Sequence, residues 1–168
     1  MSDGTERVQD ALRAQGVTGE IRTFGVALPT AAAAAEHLGC EAGAIANSLV
    51  FKAGDDIVLV LCSGAMRVDV GRVARLIGVG KKKVRRADTE LVFKVTGQRV
   101  GGVAPVGHPA PLRTLVDRAL ANFEVVWAGA GNAHSMFATN AIELLALTGG
   151  ELVDVAQAAP DVVDGVEG

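Results

Sequence analysis

The sequence predicts a single α/β domain in which a mixed, mostly antiparallel sheet is wrapped by helices. A chain of 168 residues, 49% of them apolar, can bury one substantial core but hardly two. Segments with helical and strand patterns alternate along the chain, and neighbouring strand segments are separated by turns typical of hairpins. We therefore expect one domain over residues 1–156. The acidic segment 157–168 has no such pattern and is predicted to be a disordered tail.

The first half of the chain is predicted to form three helices and a buried hairpin. Val8 and Leu12 share one face of the first helix, as an amphipathic helix requires. Thr30 can cap a second helix that ends at Gly39. Apolar and β-branched runs flank an Ala-Gly-Asp-Asp turn, which indicates the hairpin. In order, the segments are helix 5–15, strand 21–24, helix 31–39, short helix 41–47, strand 48–52 and strand 57–64.

The second half is predicted to contain two capped helices, a glycine-rich loop and the remaining strands. Asp69 and Asp88 precede apolar-periodic segments and are good N-cap residues. Asp117 is expected to cap a short helix or to orient structure near a pocket. In order, the segments are helix 70–78, helix 88–97, loop 96–111, strand 112–117, short helix 118–123, strand 124–131, strand 134–139, helix 140–149 and strand 151–156.

Composition excludes several classes of protein. The net charge of −3 argues mildly against a protein that coats nucleic acid, although "KKKVRR" at 81–86 is a basic run that is either a solvated face or a phosphate contact. No apolar run reaches the length of a membrane helix, and the polar N-terminus is unlike a signal peptide, so we expect a cytoplasmic protein. Cys40 and Cys62 are expected to be reduced and buried. Three scattered histidines without a paired-ligand motif predict no metal and no cofactor.

The loop at 96–111, "TGQRVGGVAPVGHPAP", holds four glycines and three prolines in sixteen residues. Gly101 and Gly102 allow positive φ and close backbone approach, and the prolines stiffen the segment. Such a loop can direct bare N–H groups into a cavity, or it can be a tight connection without function. It lacks the residues of a phosphate-binding loop and the spacing of a dinucleotide site.

Four segments occur in an order that resembles a known family. They are "AIANSLVFK" at 44–52, "GGVAPVGH" at 101–108, "LVDRAL" at 115–120 and "WAGAGNAHSMF" at 127–137. Together they resemble the YbaK/ProX family of freestanding aminoacyl-tRNA editing domains, which is related to the insertion domain of bacterial prolyl-tRNA synthetases. The resemblance runs from about residue 30 to about residue 155.

The resemblance implies a deacylase that hydrolyses the ester between a wrong, small amino acid and the terminal adenosine of a tRNA, typically tRNA for proline. Prolyl-tRNA synthetase is then a candidate partner. A synthetase pocket separates amino acids that differ by one methylene by only about 1 to 3 kcal/mol, which is why a second, hydrolytic site is useful. An aminoacyl ester is already activated, so a positioned water and backbone N–H groups that stabilise the oxyanion can suffice.

The resemblance also implies roles for the loop. The backbone of Gly101, Gly102 and Val103, closed by Pro105, is expected to form the catalytic pocket. We expect Gly102→Ala to lower deacylation at least tenfold with little change in thermal unfolding, because its methyl group would enter that pocket. His108 is expected either to contact the substrate's amino group or ribose, or only to bond the loop backbone.

Where many family members carry a lysine that holds the terminal adenosine, this sequence has Asn47. Either Asn47 with Ser48 takes over that role more weakly, or Lys52 or the basic run supplies the charge. Asn47→Ala should then weaken activity, and Asn47→Lys should preserve or raise it. The candidate substrate-binding lysines of the run are Lys81, Lys82 and Lys83.

Further candidates and alternatives stay open. Gly129 and Gly131 either let a strand approach the pocket or form a plain turn, and His134 lies beside them. The alternatives to an editing deacylase are a catalytically weak or inactive module of the same fold that binds tRNA or a synthetase, and an unrelated small-molecule hydrolase.

Overall fold

The computed structural model describes residues 4–17 and 21–158, which form five α-helices and ten β-strands. The helices are α1 (Thr5–Ala14), α2 (Ala31–Leu38), α3 (Val70–Ile77), α4 (Thr89–Thr96) and α5 (Ala141–Thr148). The strands are β1 (Ile21–Thr23), β2 (Ile45–Ala53), β3 (Asp56–Ser63), β4 (Met66–Val68), β5 (Val84–Arg86), β6 (Arg113–Asp117), β7 (Val126–Gly129), β8 (Ser135–Thr139), β9 (Glu151–Val153) and β10 (Ala156–Ala158). Short 3-10 helices span Ala42–Ala44, Lys81–Lys83 and Arg118–Asn122.

The predicted mixed, mostly antiparallel sheet is confirmed. Its strand order is β1-β8-β7-β2-β3-β6-β9, with β5 also paired to β2, and β4 and β10 form a separate two-stranded sheet. The pairs β1–β8, β7–β8, β2–β3, β2–β5 and β4–β10 are antiparallel. The pairs β2–β7, β3–β6 and β6–β9 are parallel.

Strand β2 has two different neighbours on one of its edges. On the other edge, β3 pairs with it from Ala46 to Ala53. On this edge, β7 pairs only with Ile45 and Ala46, and β5 pairs only with residues 51–53. Residues 47–50 therefore face a gap in the sheet between β7 and β5.

Helices cover both faces of the sheet. On one face, the core contains Val8 of α1, Val92 of α4 and Leu144 of α5. On the other face, α3 and the β4–β10 pair cover a second cluster, and α2 covers a third beside Ile45 and Met136. Because the side chains of a strand alternate between faces, Ala46, Ser48 and Val50 of β2 point to the first side, and Ile45, Asn47 and Leu49 point to the other.

The predicted helix caps are found in the structure. Thr30 Oγ1 accepts a hydrogen bond from the N–H of Ala33, and Asp88 Oδ1 accepts one from Leu91. Asp69 caps α3 in the same way through the N–H groups of Gly71 and Arg72. Asp117 caps its 3-10 helix through Ala119, and its other oxygen accepts from the N–H of Ser63 on β3, so it fixes one strand end to the next.

The structure differs from the sequence expectations in three respects. The helix expected at 41–47 is a 3-10 turn at Ala42–Ala44, and the chain enters β2 at Ile45 because β3 and β7 pair with it there. The strands β4, β5 and β10 were not predicted. Gln157 and Ala158, expected to begin a disordered tail, pair with Arg67 and Met66. The rest of that tail, 159–168, lies outside the described residues.

Among the described residues, no helix combines the length and apolar character needed to cross a membrane.

Candidate active site

A cleft of about 200 Å³ lies at the gap on the edge of β2. Residues 45–50 of β2 form its floor. The start of α2 and the residues before it form one wall, the loop at 100–103 forms another, and the segment from β7 to β8 forms the third. Its apolar lining residues include Leu28, Ile45, Val50, Val92, Val100 and Met136.

Ser48 presents an unsatisfied polar atom in this cleft. Its Oγ is buried and has no hydrogen-bond partner among the described residues. The carbonyl of Val50 accepts a hydrogen bond from Ala87 across the gap, so the backbone groups of Ser48, two residues earlier, face the same gap. A buried hydroxyl without a partner costs about 1 to 3 kcal/mol. Such a group is a candidate for binding a ligand or a water.

Asn47 and Arg86 complete the polar lining of the floor. The side chain of Asn47 makes no hydrogen bond to a described residue. Arg86 is the one charged side chain among the described residues that line the cleft, and its guanidinium carbon lies 5.9 Å from the centre of the Phe51 ring. No described acidic residue forms an ion pair with it. Its charge is therefore available to an anionic group at the mouth of the cleft.

The glycine loop offers backbone donors. The N–H of Gly102 bonds the carbonyl of Arg99 at 3.2 Å, and the carbonyl of Gly102 accepts from Gly131 at 2.9 Å. The N–H groups of Gly101 and Val103 have no partner among the described residues. Gly101 has a φ of 100°, a conformation that glycine adopts readily and other residues rarely do. The two residues with unpaired N–H groups, one on each side of Gly102, therefore both line the cleft wall.

Buried hydrogen bonds hold this loop in place. The side-chain oxygen of Gln98, which is fully buried, accepts from the N–H of Ala104 at 2.6 Å, and its nitrogen donates to the carbonyl of Val106 at 3.1 Å. Thr96 in turn binds the backbone of Gln98. These contacts make the loop a rigid wall, so the free N–H groups keep their positions without a substrate.

The loop also packs directly on the backbone of the β7–β8 connection. A side chain at Gly102 would overlap the backbone of Asn132 and lie 2.6 Å from the nitrogen of Ala133. A side chain at Gly129 would lie 2.8 Å from the carbonyl oxygen of Val103. Because both glycines lack a side chain, the two backbone segments can pack in direct contact. A side chain at Gly102 would point towards the neighbouring loop.

Within the described part of the chain, no His, Cys, Lys, Asp or Glu side chain lines the cleft. Burial, with a further contribution from Asp117, raises the pKa of Cys62 to about 12, and its thiol points to the carbonyl of Ser63. Burial also raises the pKa of Cys40. Described residues 4–17 and 21–158 contain no cluster of His, Cys, Asp and Glu side chains that could hold a metal ion. The polar side chains that line the cleft are those of Thr30, Asn47, Ser48, Arg86, Asn132 and Ser135.

Comparison with known proteins identifies the family. The sequence model of the aminoacyl-tRNA editing domain family matches residues 26–147 of this chain. These residues include every segment that lines the cleft. The chain therefore belongs to the aminoacyl-tRNA editing domain family. The resemblance recognised in the sequence is thus confirmed.

Individual relatives agree with this editing family. The chain is 28% identical over 117 residues to the uncharacterized protein YwhH of Bacillus subtilis (strain 168), covering 69% of this chain and 73% of that protein. It is 29% identical over 80 residues to the proline–tRNA ligase of Thermoanaerobacter sp. (strain X514), covering 48% of this chain but only 14% of the ligase. A crystal structure of a candidate trans-editing enzyme for prolyl tRNA synthetase superposes with a TM-score of 0.86 at 37% identity, covering 94% of this chain and 99% of that one.

The structure brings together part of the predicted editing site. Of the residues proposed from the sequence, those that line the cleft are Asn47, Ser48, Gly101, Gly102, Val103 and Gly129. Gly131 lies just outside, where its backbone packs on Gly4. Pro105 is buried beside a separate groove, which it shares with His108. Lys81, Lys82 and Lys83 lie exposed on their 3-10 helix and do not line the cleft.

His108 is not brought to the cleft. Its Nε2 donates to the carbonyl of Ala104 at 2.8 Å, and the ring lines grooves beside α1 on another part of the surface. The expected contact with substrate therefore has no geometric support, and the alternative expectation, a bond to the loop backbone, describes what the structure contains.

Arg86 was missed as a separate candidate. It belongs to the basic run 81–86, which as a sequence predicts only a solvated face or a phosphate contact. Pairing of β5 with β2 places this one residue of the run at the cleft. Only the pairing, which joins segments 35 residues apart (Phe51 with Arg86), distinguishes it from its neighbours.

We expect Gly102→Ala to destabilise the protein as well as to lower activity, which corrects the expectation drawn from the sequence. The new methyl group must push apart two backbone segments, and overpacking of this kind costs about 1 to 3 kcal/mol. For a chain of this size the melting temperature should fall by about 2 to 4 °C per kcal/mol. Gly80→Ala is the matched control, because φ there is −71° and nothing lies within 4 Å of the new methyl. An unchanged melting temperature for Gly102→Ala would contradict the close packing.

His108→Gln should keep deacylation within about twofold of the wild type, since the residue lies outside the cleft and Gln can still donate to Ala104. Burial lowers the pKa of His108 in the folded protein. The unfolded chain then binds the proton more readily, so the stability that the neutral ring contributes is complete above about pH 6.5 and declines below it. Unfolding by denaturant at pH 7.5 and pH 5 should show a smaller acid destabilisation in the variant. A tenfold loss of kcat/KM in the folded variant would contradict this expectation and would indicate that His108 acts in the site.

Proposed function

We propose that this chain is a deacylase that removes a small non-cognate amino acid from tRNA, with mischarged tRNA for proline as its substrate. Its family and its structural neighbour support aminoacyl-tRNA editing, and the similarity to a proline–tRNA ligase favours the proline system. The observation that carries the proposal is the cleft at the gap in β2, which is lined both by Ser48, whose buried hydroxyl has no described partner, and by Gly101 and Val103, whose N–H groups bond no described residue. A surface that served only to contact another macromolecule would not need polar groups that lack hydrogen-bond partners.

The reaction needs no side-chain nucleophile. The oxygen of a water forms a bond to the ester carbonyl carbon, the bond from that carbon to the ribose oxygen breaks, and the ribose oxygen takes up the proton that the water releases. The N–H groups of Gly101 and Val103 donate to the carbonyl oxygen as its negative charge develops. One such donor is worth about 2.7 to 4 kcal/mol of transition-state stabilisation in a well-studied protease.

Ser48 and Arg86 position the substrate in this scheme. The Ser48 hydroxyl can hold the attacking water or the ester at the floor, because it is a buried side-chain group without a partner among the described residues. Asn47 supplies a further neutral donor and acceptor from the opposite face of β2. Arg86 at the mouth binds the phosphate of the terminal adenosine, so the charge comes from β5 rather than from β2.

The size of the cleft favours a small amino acid. Pockets that enclose whole small-molecule ligands usually measure about 300 to 1,000 Å³. A cleft of about 200 Å³ can hold the aminoacyl group while the adenosine lies across the mouth. The rigid loop and the apolar wall of Leu28, Ile45 and Met136 then exclude the bulkier proline ring.

The purified protein should deacylate tRNA for proline charged with alanine, cysteine, serine or 2-aminobutyrate, and should leave correctly charged Pro-tRNA intact. The measurement is the loss of labelled amino acid from each tRNA under single-turnover conditions. Equal hydrolysis of Pro-tRNA, or no hydrolysis of any of the four, would remove the proposal. In the second case, a protein that still binds the tRNAs would be an inactive binding module.

Ser48→Ala connects this activity to the cleft. Removal of an unsatisfied buried hydroxyl should leave the melting temperature unchanged or raise it, while kcat/KM falls about tenfold or more. Ser63→Ala is the matched control, because the Ser63 hydroxyl donates to the carbonyl of Gly43 at 2.7 Å, so its loss should lower stability. A Ser48→Ala variant with normal activity would place the chemistry elsewhere.

The basic run should contribute tRNA affinity without touching the ester. Lys81, Lys82 and Lys83 are exposed, make no ion pair with a described residue, and connect through β5 to Arg86 over about 10 Å at 3.3 Å per residue. Replacing all three with Ala should weaken tRNA binding and flatten its dependence on salt, because fewer counterions are released. Replacing all three with Arg keeps the charge and should keep the slope. An unchanged slope in the Ala variant would assign the run to a solvated face.

A further inference from the structure

A second groove adjoins the cleft on the outer side of α4. It has a volume of about 460 Å³ and is lined by Thr89, Glu90, Phe93, Lys94, Arg99 and Val100. Val100 lines both the groove and the cleft, so the two are neighbours. The proposed reaction uses none of the side chains of this groove.

The groove exposes an aromatic ring that the core does not need. Phe93 is 48% exposed and Val100 is 50% exposed, whereas α4 buries its other side through Val92 and Thr96. Phe93 is the most exposed aromatic side chain among the described residues. The other exposed large apolar residues, Val26, Leu76, Val125 and Ile142, line neither the groove nor the cleft. An aromatic ring at the edge of a functional cleft is therefore a candidate contact for a ligand.

The charges around Phe93 indicate the chemistry of that ligand. The guanidinium carbon of Arg99 lies 5.0 Å from the centre of the Phe93 ring, so the two side chains form a stacked pair. Neither Arg99 nor Lys94 forms an ion pair with a described acidic residue, and Glu90 is the one carboxylate of the groove. An aromatic ring, a stacked guanidinium and free cations are the combination with which proteins bind single-stranded nucleic acid.

We propose that this groove binds the nucleobase that precedes the esterified adenosine, at the single-stranded 3′ end of the tRNA. The base stacks on the Phe93–Arg99 pair, and the phosphate on the 5′ side of that nucleotide lies near Lys94 and Arg99, whereas the phosphate of the terminal adenosine lies near Arg86. This rests on the proposed function, since Val100, which lines both, places the groove next to the site that would hold the terminal adenosine. Thr89 and Glu90 lie at the N-terminal end of α4, next to β5. The single-stranded RNA can therefore continue from the groove towards the basic run.

A protein partner fits the groove less well. Its apolar content is limited to Phe93 and Val100, whereas stable protein interfaces bury about 1,200 Å² or more and have an apolar centre. Unpaired cations beside an aromatic ring match a phosphate and a base instead.

The test compares two substrates that differ only in the preceding nucleotides. Phe93→Ala should raise KM for mischarged tRNA about tenfold with little change in kcat, because stacking acts in binding. It should leave deacylation of alanyl-adenosine, which has no preceding base, unchanged. Phe93→Trp retains a ring and should keep the KM of the wild type. Equal effects of Phe93→Ala on both substrates, or no effect on tRNA, would overturn the proposal.

Direct binding separates this proposal from the proposed function. The uncharged trinucleotide CCA should shift the NMR signals of the Phe93 ring in the wild-type protein whether or not any ester is hydrolysed. If CCA binds in this way but no mischarged tRNA is deacylated, the groove stands and the deacylase fails. If deacylation occurs but CCA leaves the Phe93 signals unchanged, the groove proposal fails alone. If Phe93→Ala weakens binding of the synthetase but not of CCA, the groove is a protein contact and the proposal is overturned.

Discussion

The site depends on the unequal lengths of the strands that pair with β2. Eight residues of β2, from Ala46 to Ala53, pair with β3 on one edge, but the other edge is shared by the end of β7 and the three residues of β5. On this second edge, the four residues between β7 and β5 have no neighbouring strand. There the polar backbone and the Ser48 hydroxyl line a cleft instead of pairing with another strand. An opening in the middle of a sheet edge is costly unless something binds there, because buried polar groups are normally paired. The same pairing brings Arg86 to the mouth, so the sheet sets both the shape and the charge of the cleft.

The second wall of the cleft depends on direct backbone contact between two loops, which is possible because glycines lie at the points of contact. Gly102 and Gly129 allow the glycine loop and the β7–β8 connection to touch, and Gln98 bonds the loop from behind. The donors of Gly101 and Val103 are fixed by these contacts before any substrate arrives, which is the condition under which backbone N–H groups stabilise a developing charge well. In the proposed reaction, the same rigid surface places the water and excludes a bulky amino acid, so a site without a base can select its substrate.

Local patterns predicted much of the fold and about half of the site. The hairpin of β2 and β3, the caps at Thr30, Asp69 and Asp88, and the role of Asp117 could be predicted because each depends on residues close in sequence or on a strong strand pattern. The short strands β4, β5 and β10 could not, since three residues carry too little pattern and their pairing is long-range. For the same reason, Arg86 could not be distinguished from the other residues of the basic run. The sequence also could not show that the backbone of Asn132 occupies the position that a side chain at Gly102 would take. His108 stands close to the loop in sequence but lies on another surface, because the rigid turn at 104–108 directs its ring to the carbonyl of Ala104.

The most direct test of the cleft is where an intact aminoacyl-adenosine binds. An analogue in which alanine is joined to 3′-amino-3′-deoxyadenosine by an amide cannot be hydrolysed as an ester, and its titration can be followed by the backbone amide signals in NMR. The proposed arrangement predicts saturable shifts that are largest at Gly101, Val103 and Ser48, because their N–H groups face the carbonyl or the gap. Shifts confined to the grooves around His108, or no saturable shift at the three residues, would contradict the assignment of the cleft as the catalytic site.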